Sequence, residues 1–342
     1  MTKPAPEISP DQGFLLYPWQ RTAWEHLWRA HQKNRLHHAL LVTGAPGMGK
    51  LQLARNLAQA LLCRFPGVDG VPCGNCPACH WFKIGHHPDY HLIGPDADGK
   101  SDEIKVDVVR EMIASQGLSA HQGHYKLLVL NPADRMNRGA ANSLLKTLEE
   151  PVASTLIILL SHRPGALLPT IRSRCQSLYL APPPEEDALA WLRTQPGCGD
   201  QPHVSLRLAG GAPLAALRLA RPEMLAQRQD AWNQFLALSK GQGQLMRTAE
   251  VWSQWDLSLI LNWLGAWVAD LARLACGHPN PWLANPDVRA ELAQLARCLD
   301  PAALHRFWRE LVAAGDQVHA NLIPQLLLES LLLRWTQIAS GR

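Results

Sequence analysis

Charge of one sign is what this chain has least of. Lys and Arg number 33 against 29 Asp and Glu, a net of +4 over 342 residues. That balance is too mild to argue for nucleic-acid binding on charge alone, and no basic stripe is present to do so locally. The stretch Met1 to Gly13 is polar and Pro-rich without an apolar core, so no secretory signal is expected and a cytoplasmic protein is. The longest apolar helical stretch, Leu257 to Ala275, carries Asn262, Asp270 and Arg273 and has Trp near its start and along its length, which predicts a buried helix of a soluble domain instead of a membrane span. No cluster of carboxylates with catalytic spacing appears, and no Ser or Cys stands beside a general base. Hydrophobic residues make up 47% and charged residues 18%, enough for more than one core.

One further absence is a single hydroxyl. Gly44-Ala45-Pro46-Gly47-Met48-Gly49-Lys50 follows the apolar run Leu40-Leu41-Val42 and opens the helical pattern Gln52 to Leu62. This is the arrangement of a phosphate-binding loop, in which backbone N–H groups at a helix N-terminus cradle phosphates and the Lys reaches the outer ones. The residue after the Lys is ordinarily Ser or Thr, whose oxygen holds Mg²⁺; here it is Leu51, which cannot ligate a hard cation. Gly44, Gly47, Gly49 and Lys50 can still attract an anion, so ATP or ADP binding stays open, whereas a Mg²⁺ site is not expected. The other reading is a relic loop held by packing.

Cysteine, by contrast, is concentrated. Cys63, Cys73, Cys76 and Cys79 share one short Gly/Pro-rich segment with two consecutive C-x-x-C steps. Four thiolates at that spacing predict a closed tetrahedral zinc site whose binding energy replaces the core this segment lacks. Disulfides and a redox pair fit less well. His80, His86, His87 and His91 follow closely and rank behind the thiols as ligands. Cys175, Cys198, Cys276 and Cys298 are scattered and read as small buried hydrophobes.

Along the chain, short apolar runs alternate with helical patterns. Tyr90–Ile93, Lys126–Leu130, Thr155–Leu160 and Ser177–Leu180 read as strands; Ile104–Gln116 and Asn137–Glu149 read as helices. Such alternation predicts an α/β, doubly wound parallel sheet built from βαβ units. Pro182-Pro183-Pro184 ends that pattern, placing a boundary near residue 181. A small helical domain over 182–222 follows, with Glu185–Arg193 as one helix and Val204–Leu219 as another, and residues 223–342 read as a helical bundle. Most of the thirteen Trp, among them Trp252, Trp255, Trp263 and Trp267, are expected to pack that bundle.

The loop at 44–50, the four-Cys segment, His87-Pro88-Asp89-Tyr90, the run Ala140-Ala141-Asn142-Ser143-Leu144-Leu145-Lys146-Thr147-Leu148-Glu149-Glu150-Pro151, and Ser173-Arg174-Cys175 occur in this order. In that combination the chain resembles the delta prime family of bacterial DNA polymerase III, which belongs to the clamp-loader AAA+ subunits. The resemblance spans nearly the whole chain. It implies an AAA+ module carrying the zinc module, a helical lid, and a C-terminal collar through which subunits assemble. It also implies as partners the delta subunit and the gamma or tau ATPases, with the sliding clamp and primed DNA reached through the assembly.

The same resemblance places further roles. At the end of the strand Leu127–Leu130, active members carry an Asp-Glu pair that organises Mg²⁺ and polarises water; this chain has Asn131-Pro132, and Asp134 comes too late to substitute simply. In the lid, Leu214 stands where an Arg senses the terminal phosphate, although Arg218 lies near. Ser161 occupies the place of a polar sensor, or else caps its strand. Arg174 is implied to reach the ATP of a neighbouring subunit as an arginine finger, a charge worth about 10³ to 10⁵ in rate. A local ion pair with Glu149 or Glu150 is the plainer reading of the same residue. The expected function is therefore a delta prime subunit without ATPase activity of its own. An active ATPase resembling gamma or tau is the alternative, against which stand Leu51, Asn131, Pro132 and the end of the sequence at 342 without a long Pro-rich extension.

Overall fold

The computed structural model describes residues 13–95, 103–115, 125–151, 154–277, 280–317 and 323–341. The chain divides into two compact units, one ending at Pro182 and the other beginning at Pro183.

In the first unit, five strands run parallel in one sheet: β1 (Ala39–Thr43), β2 (Tyr90–Ile93), β3 (Lys126–Leu130), β4 (Thr155–Ser161) and β5 (Gln176–Tyr179). Their spatial order is β2-β3-β4-β1-β5. β1 lies between β4 and β5, with Thr43 opposite Ser161 on one side and Tyr179 on the other. Every residue of β1, β3 and β4 is buried, as expected for strands covered on both faces, where a continuous apolar run replaces alternation. The helices of this unit are α1 (Arg21–Gln32), α2 (Lys50–Leu62), α3 (Pro77–Lys83), α4 (Val106–Ser115), α5 (Arg138–Glu149) and α6 (Pro169–Arg172). α5 starts where the Asn137 side chain accepts from the Ala140 N–H at 2.8 Å, an N-cap of the usual kind. The helix expected over 104–116 is α4; Gln116 lies outside the described residues.

The second unit is helical. It contains α7 (Glu185–Arg193), α8 (Pro202–Leu208), α9 (Pro213–Leu219), α10 (Pro222–Ser239), α11 (Leu245–Ser253), α12 (Leu257–Ala275), α13 (Arg289–Ala296), α14 (Pro301–Gln317) and α15 (Pro324–Ala339). One expectation fails here. Val204–Leu219 is not a single helix: Gly210 and Gly211, at φ of 60° and 84°, break it into α8 and α9. Two successive left-handed residues cannot continue a right-handed helix, and Pro213 then restarts it at its first position. Ala188, Leu192, Leu206 and Ala216 form a small core among α7, α8 and α9.

A larger, separate core joins α10 to α15. Trp232, Trp252, Trp267, Trp335, Phe235 and Phe307 are fully enclosed in it, Phe235 stacking on Trp335 at 4.5 Å between ring centroids. Trp263 is buried there too and Trp255 packs against it. α12 has the length and composition of a membrane span, at mean hydropathy 1.2. Yet Asp270 on it is wholly buried, accepting from Arg273, from the N–H groups of Ala284 and Asn285 and from the Asn285 side chain at 2.7–3.1 Å. Asn285 also accepts from Arg228, which grips Asp287 with two bonds of 2.6 and 3.2 Å. A buried carboxylate with four donors avoids the desolvation cost of an unpaired charge.

Candidate functional site: a closed phosphate loop, a thiol cluster and an outward arginine

The loop at 44–49 leaves the carboxyl end of β1 and enters α2, whose N-cap is Gly49 at φ 75°. A side chain is excluded at two of its glycines. A Cβ on Gly44 would lie 2.7 Å from the Leu180 carbonyl oxygen, and one on Gly49 would lie 2.6 Å from Gln20 Nε2 and 2.9 Å from the Tyr17 ring. The segment before α1 lies over the loop. Trp19 Nε1 donates to the Met48 carbonyl at 3.0 Å, and Gln20 Nε2 donates to the Met48 and Gly49 carbonyls at 3.0 and 2.8 Å.

Lys50 is only 3% exposed. Its Nζ donates to the Gly44 carbonyl at 2.7 Å and the Ala45 carbonyl at 2.9 Å, and lies 2.7 Å from His162 Nδ1. Since a lysine ammonium only donates, His162 accepts through Nδ1 and its proton belongs on Nε2. Leu51 is buried, at 9% exposure, and brings no oxygen to the loop.

The neighbouring strand ends complete the surroundings. Asp134 does not face a free site: its Oδ1 accepts from the His162 N–H at 3.1 Å and its Oδ2 lies 3.8 Å from Arg163 Nε. Ser161 Oγ accepts from the Arg163 N–H at 3.0 Å, so it caps its own strand. Asn131 pairs through its N–H with the Ile93 carbonyl, and neither it nor Pro132 contributes a carboxylate. Leu214 and Arg218 lie on α9 in the second unit.

The four cysteines converge. The Sγ atoms of Cys63, Cys73, Cys76 and Cys79 all lie within 4.8 Å of one another, with Cys63 to Cys73 at 3.5 Å and Cys63 to Cys76 at 4.0 Å. A tetrahedral zinc with bonds of about 2.3 Å needs sulfur separations of about 3.8 Å, so the donor set fits such an ion. Burial raises the Cys76 thiol, but the N–H groups of Arg64 and Cys79 and the adjacent thiols outweigh it and bring its pKa to about 6. Cys79 is pushed up, first by burial and then by the Cys63 sulfur. Among the described residues, no histidine joins the group. His80 and His86 are exposed, His87 is buried, and His91 starts no such cluster from β2. The short α3, which the Cys spacing did not announce, carries Cys79, while Trp24 and Trp28 of α1 donate to the Asp69 and Val68 carbonyls at 2.9 and 2.8 Å. Gly70 is held against those two indoles, where a Cβ would meet Trp28 at 2.5 Å.

Arg174 lies at the amino end of the strands, between α6 and β5, the strand that pairs with β1. Its Nη2 is 2.6 Å from Glu149 Oε1 at the end of α5, and its Nη1 donates to the Thr170 carbonyl at 2.9 Å. The side chain remains 35% exposed. The plain ion-pair reading of the sequence is thus observed in the free chain. Cys175 beside it packs into the sheet's core, and burial pushes its thiol up to about 11.

Residues 19–184 match the family model described as DNA polymerase III, delta subunit, and residues 222–337 match that of its C-terminal region. The DNA polymerase III subunit delta prime of Pseudomonas aeruginosa is 36% identical over 330 residues, covering 94% of this chain and 98% of that one. The chain belongs to the DNA polymerase III delta prime family. A second member, from Escherichia coli, is 36% identical over 321 residues, with 93% of this chain and 94% of the other covered. A solved gamma subunit-related protein of DNA polymerase III from Thermotoga maritima aligns over 92% of this chain and 99% of its own at 19% identity, with a TM-score of 0.44. Within the delta prime family, then, this chain carries a sheet unit with a closed loop, a four-thiol cluster able to hold a metal ion such as zinc, and an arginine turned to the surface.

Proposed function

We propose that this chain is the delta prime subunit of the DNA polymerase III clamp loader. In this reading it is an AAA+ subunit that hydrolyses no ATP itself, helps load the sliding clamp on primed DNA, and lends Arg174 to the ATP site of a neighbouring gamma or tau subunit. The observation that carries the reading is the pairing of full-length kinship with delta prime proteins and a loop whose Lys50 is turned inward. Leu51, Asn131 and Pro132 supply neither the hydroxyl nor the carboxylate that a metal-assisted hydrolysis uses. Arg174 suits the role because its guanidinium keeps a fixed orientation from Thr170 and Glu149 while staying partly open to solvent. A neighbour's triphosphate, carrying more negative charge than Glu149, would draw it across. Zinc bound by Cys63, Cys73, Cys76 and Cys79 is a structural staple, the helices from α10 onward are the collar, and the location is cytoplasmic.

The test is ATP turnover, stimulated by clamp and primed DNA, in an assembly reconstituted from this chain with delta and gamma or tau. With Arg174→Ala, turnover at the adjoining site is expected to fall on the order of 10³-fold with the assembly intact. Unchanged turnover would remove the finger and leave a scaffold. The alternative, an active ATPase, requires ATP hydrolysis by the isolated chain; its absence in a folded preparation sinks that alternative.

A further inference from the structure

An ammonium has three protons to donate, and in this chain each of those of Lys50 has a short partner: Gly44 O at 2.7 Å, Ala45 O at 2.9 Å and His162 Nδ1 at 2.7 Å. Two of the partners belong to the loop itself. The third comes from the end of β4, 112 residues away. His162 is in turn held by its own N–H on Asp134 Oδ1, and Asp134 is further engaged by Arg163. Lys50 is thereby drawn into the loop from the adjacent strand end, at 3% exposure.

From this we infer that His162 is a latch: it holds Lys50 in the closed loop and sets the loop's affinity for the diphosphate group of a nucleotide. The inference rests on reading residues 44–50 as a degenerate phosphate loop. It goes beyond the loss of the metal handle at Leu51. That loss removes Mg²⁺, but it does not by itself keep phosphate from a helix N-terminus and a lysine. The latch acts on that remaining affinity, because a phosphate oxygen must replace one of three acceptors already in place. His162 is the one of the three that is a side chain, and so the one that substitution can remove. With His162 gone, one donor of Lys50 is released from its side-chain acceptor, and the N-terminal end of α2, which starts at Lys50, acts together with it.

The experiment is isothermal titration of the full chain with ADP in the absence of magnesium. His162→Ala should bind ADP about tenfold or more tightly than the parent, the scale of one charge-assisted hydrogen bond no longer competed for. Adding Lys50→Ala in the same chain should reverse the gain. Equal affinities for parent and His162→Ala, no binding by either, or a gain that survives Lys50→Ala each overturn the latch. A second measurement needs no variant and holds even if His162→Ala folds poorly. Reductive methylation of the parent, followed residue by residue by mass spectrometry, should modify Lys50 at least tenfold more slowly than the exposed Lys33. Matching rates overturn the inference. Both readouts use the isolated chain, so their failure leaves the role of Arg174 in an assembly untouched, and the failure of that role leaves the latch untouched.

Discussion

Lys50 and Arg174 are cations at opposite ends of two neighbouring strands of one parallel sheet, β1 and β5, and they are held in opposite ways. Lys50 follows the carboxyl end of β1, nearly sealed, with its donors aimed at backbone carbonyls and His162. Arg174 precedes the amino end of β5, partly exposed, with one carboxylate that is itself half in solvent. An enclosed positive charge must break bonds before it can meet a ligand; one at the surface against an exposed counter-ion has less to give up. The difference shows that two cations of one sheet can be committed by the fold to very different degrees, Lys50 by three short hydrogen bonds and Arg174 by an exposed ion pair and one carbonyl.

The comparison breaks most visibly under a pair of alanine substitutions. Arg174→Ala should cost on the order of 10³ in the turnover of an assembled neighbour while leaving the melting temperature of the free chain within about 2 °C. Lys50→Ala should do the reverse: assembled turnover within about twofold of the parent, and about 2–4 kcal/mol lost from stability, because Gly44 O, Ala45 O and His162 each lose the short bond from its ammonium. Urea denaturation read alongside turnover separates the two; if both losses follow Lys50, the contrast drawn here is wrong.

Next in size is the thiol cluster, whose four sulfurs are placed to hold a metal ion such as zinc. Chelation, or Cys76→Ser, should release most of the bound zinc and raise amide exchange across residues 63–83 by tenfold or more, with the strands β1, β3 and β4 still protected. Loss of protection throughout the sheet would mean the cluster is not a local staple. A smaller effect is expected from Glu149→Ala, which frees the guanidinium of Arg174 from its carboxylate. An ion pair this exposed is worth less than about 1 kcal/mol, so stability should barely move. Assembled turnover should hold or rise slightly; a fall as deep as that of Arg174→Ala would make Glu149 part of the chemistry. Smallest is a labelling difference. With its pKa near 11, Cys175 is only about a thousandth thiolate at pH 8 and packs half-buried against the core, so iodoacetamide should reach it well after Cys276 and Cys298, which are exposed and not buried as their scatter suggested. Comparable rates would show that the turn holding Arg174 is loose.

Much of this was legible in the residues. β2 and β3 appear with the bounds their apolar runs indicated, and α7 and α12 likewise; for β3, burial on both faces of the sheet leaves a continuous apolar run, and for the helices a buried stripe leaves a periodic one. The cysteines converge because their spacing is itself the constraint. What was not legible depends on partners distant in sequence. No local pattern ties His162 to Lys50, turns Asp134 to the end of β4, or joins Arg228 to Asn285 and Asp287. α1 and α3 passed unnoticed because each is short or rich in Trp and His, whose helical preference is weak. The break between α8 and α9 was foreshadowed by Gly210-Gly211, but the apolar spacing on either side remained continuous enough to hide it.

The sheet's margins have a consequence of another kind. Among the described residues, β2 and β5 each pair with one strand only. Both are four residues long, against five to seven for the strands between them, and most of the side chains of β5 are exposed, with Gln176 and Ser177 among them. Margins this short, one of them opening on Gln176 and Ser177, make poor templates for strand addition by another chain. At those margins the backbone offers a second chain little to pair with, which leaves side chains and helices as the means of association.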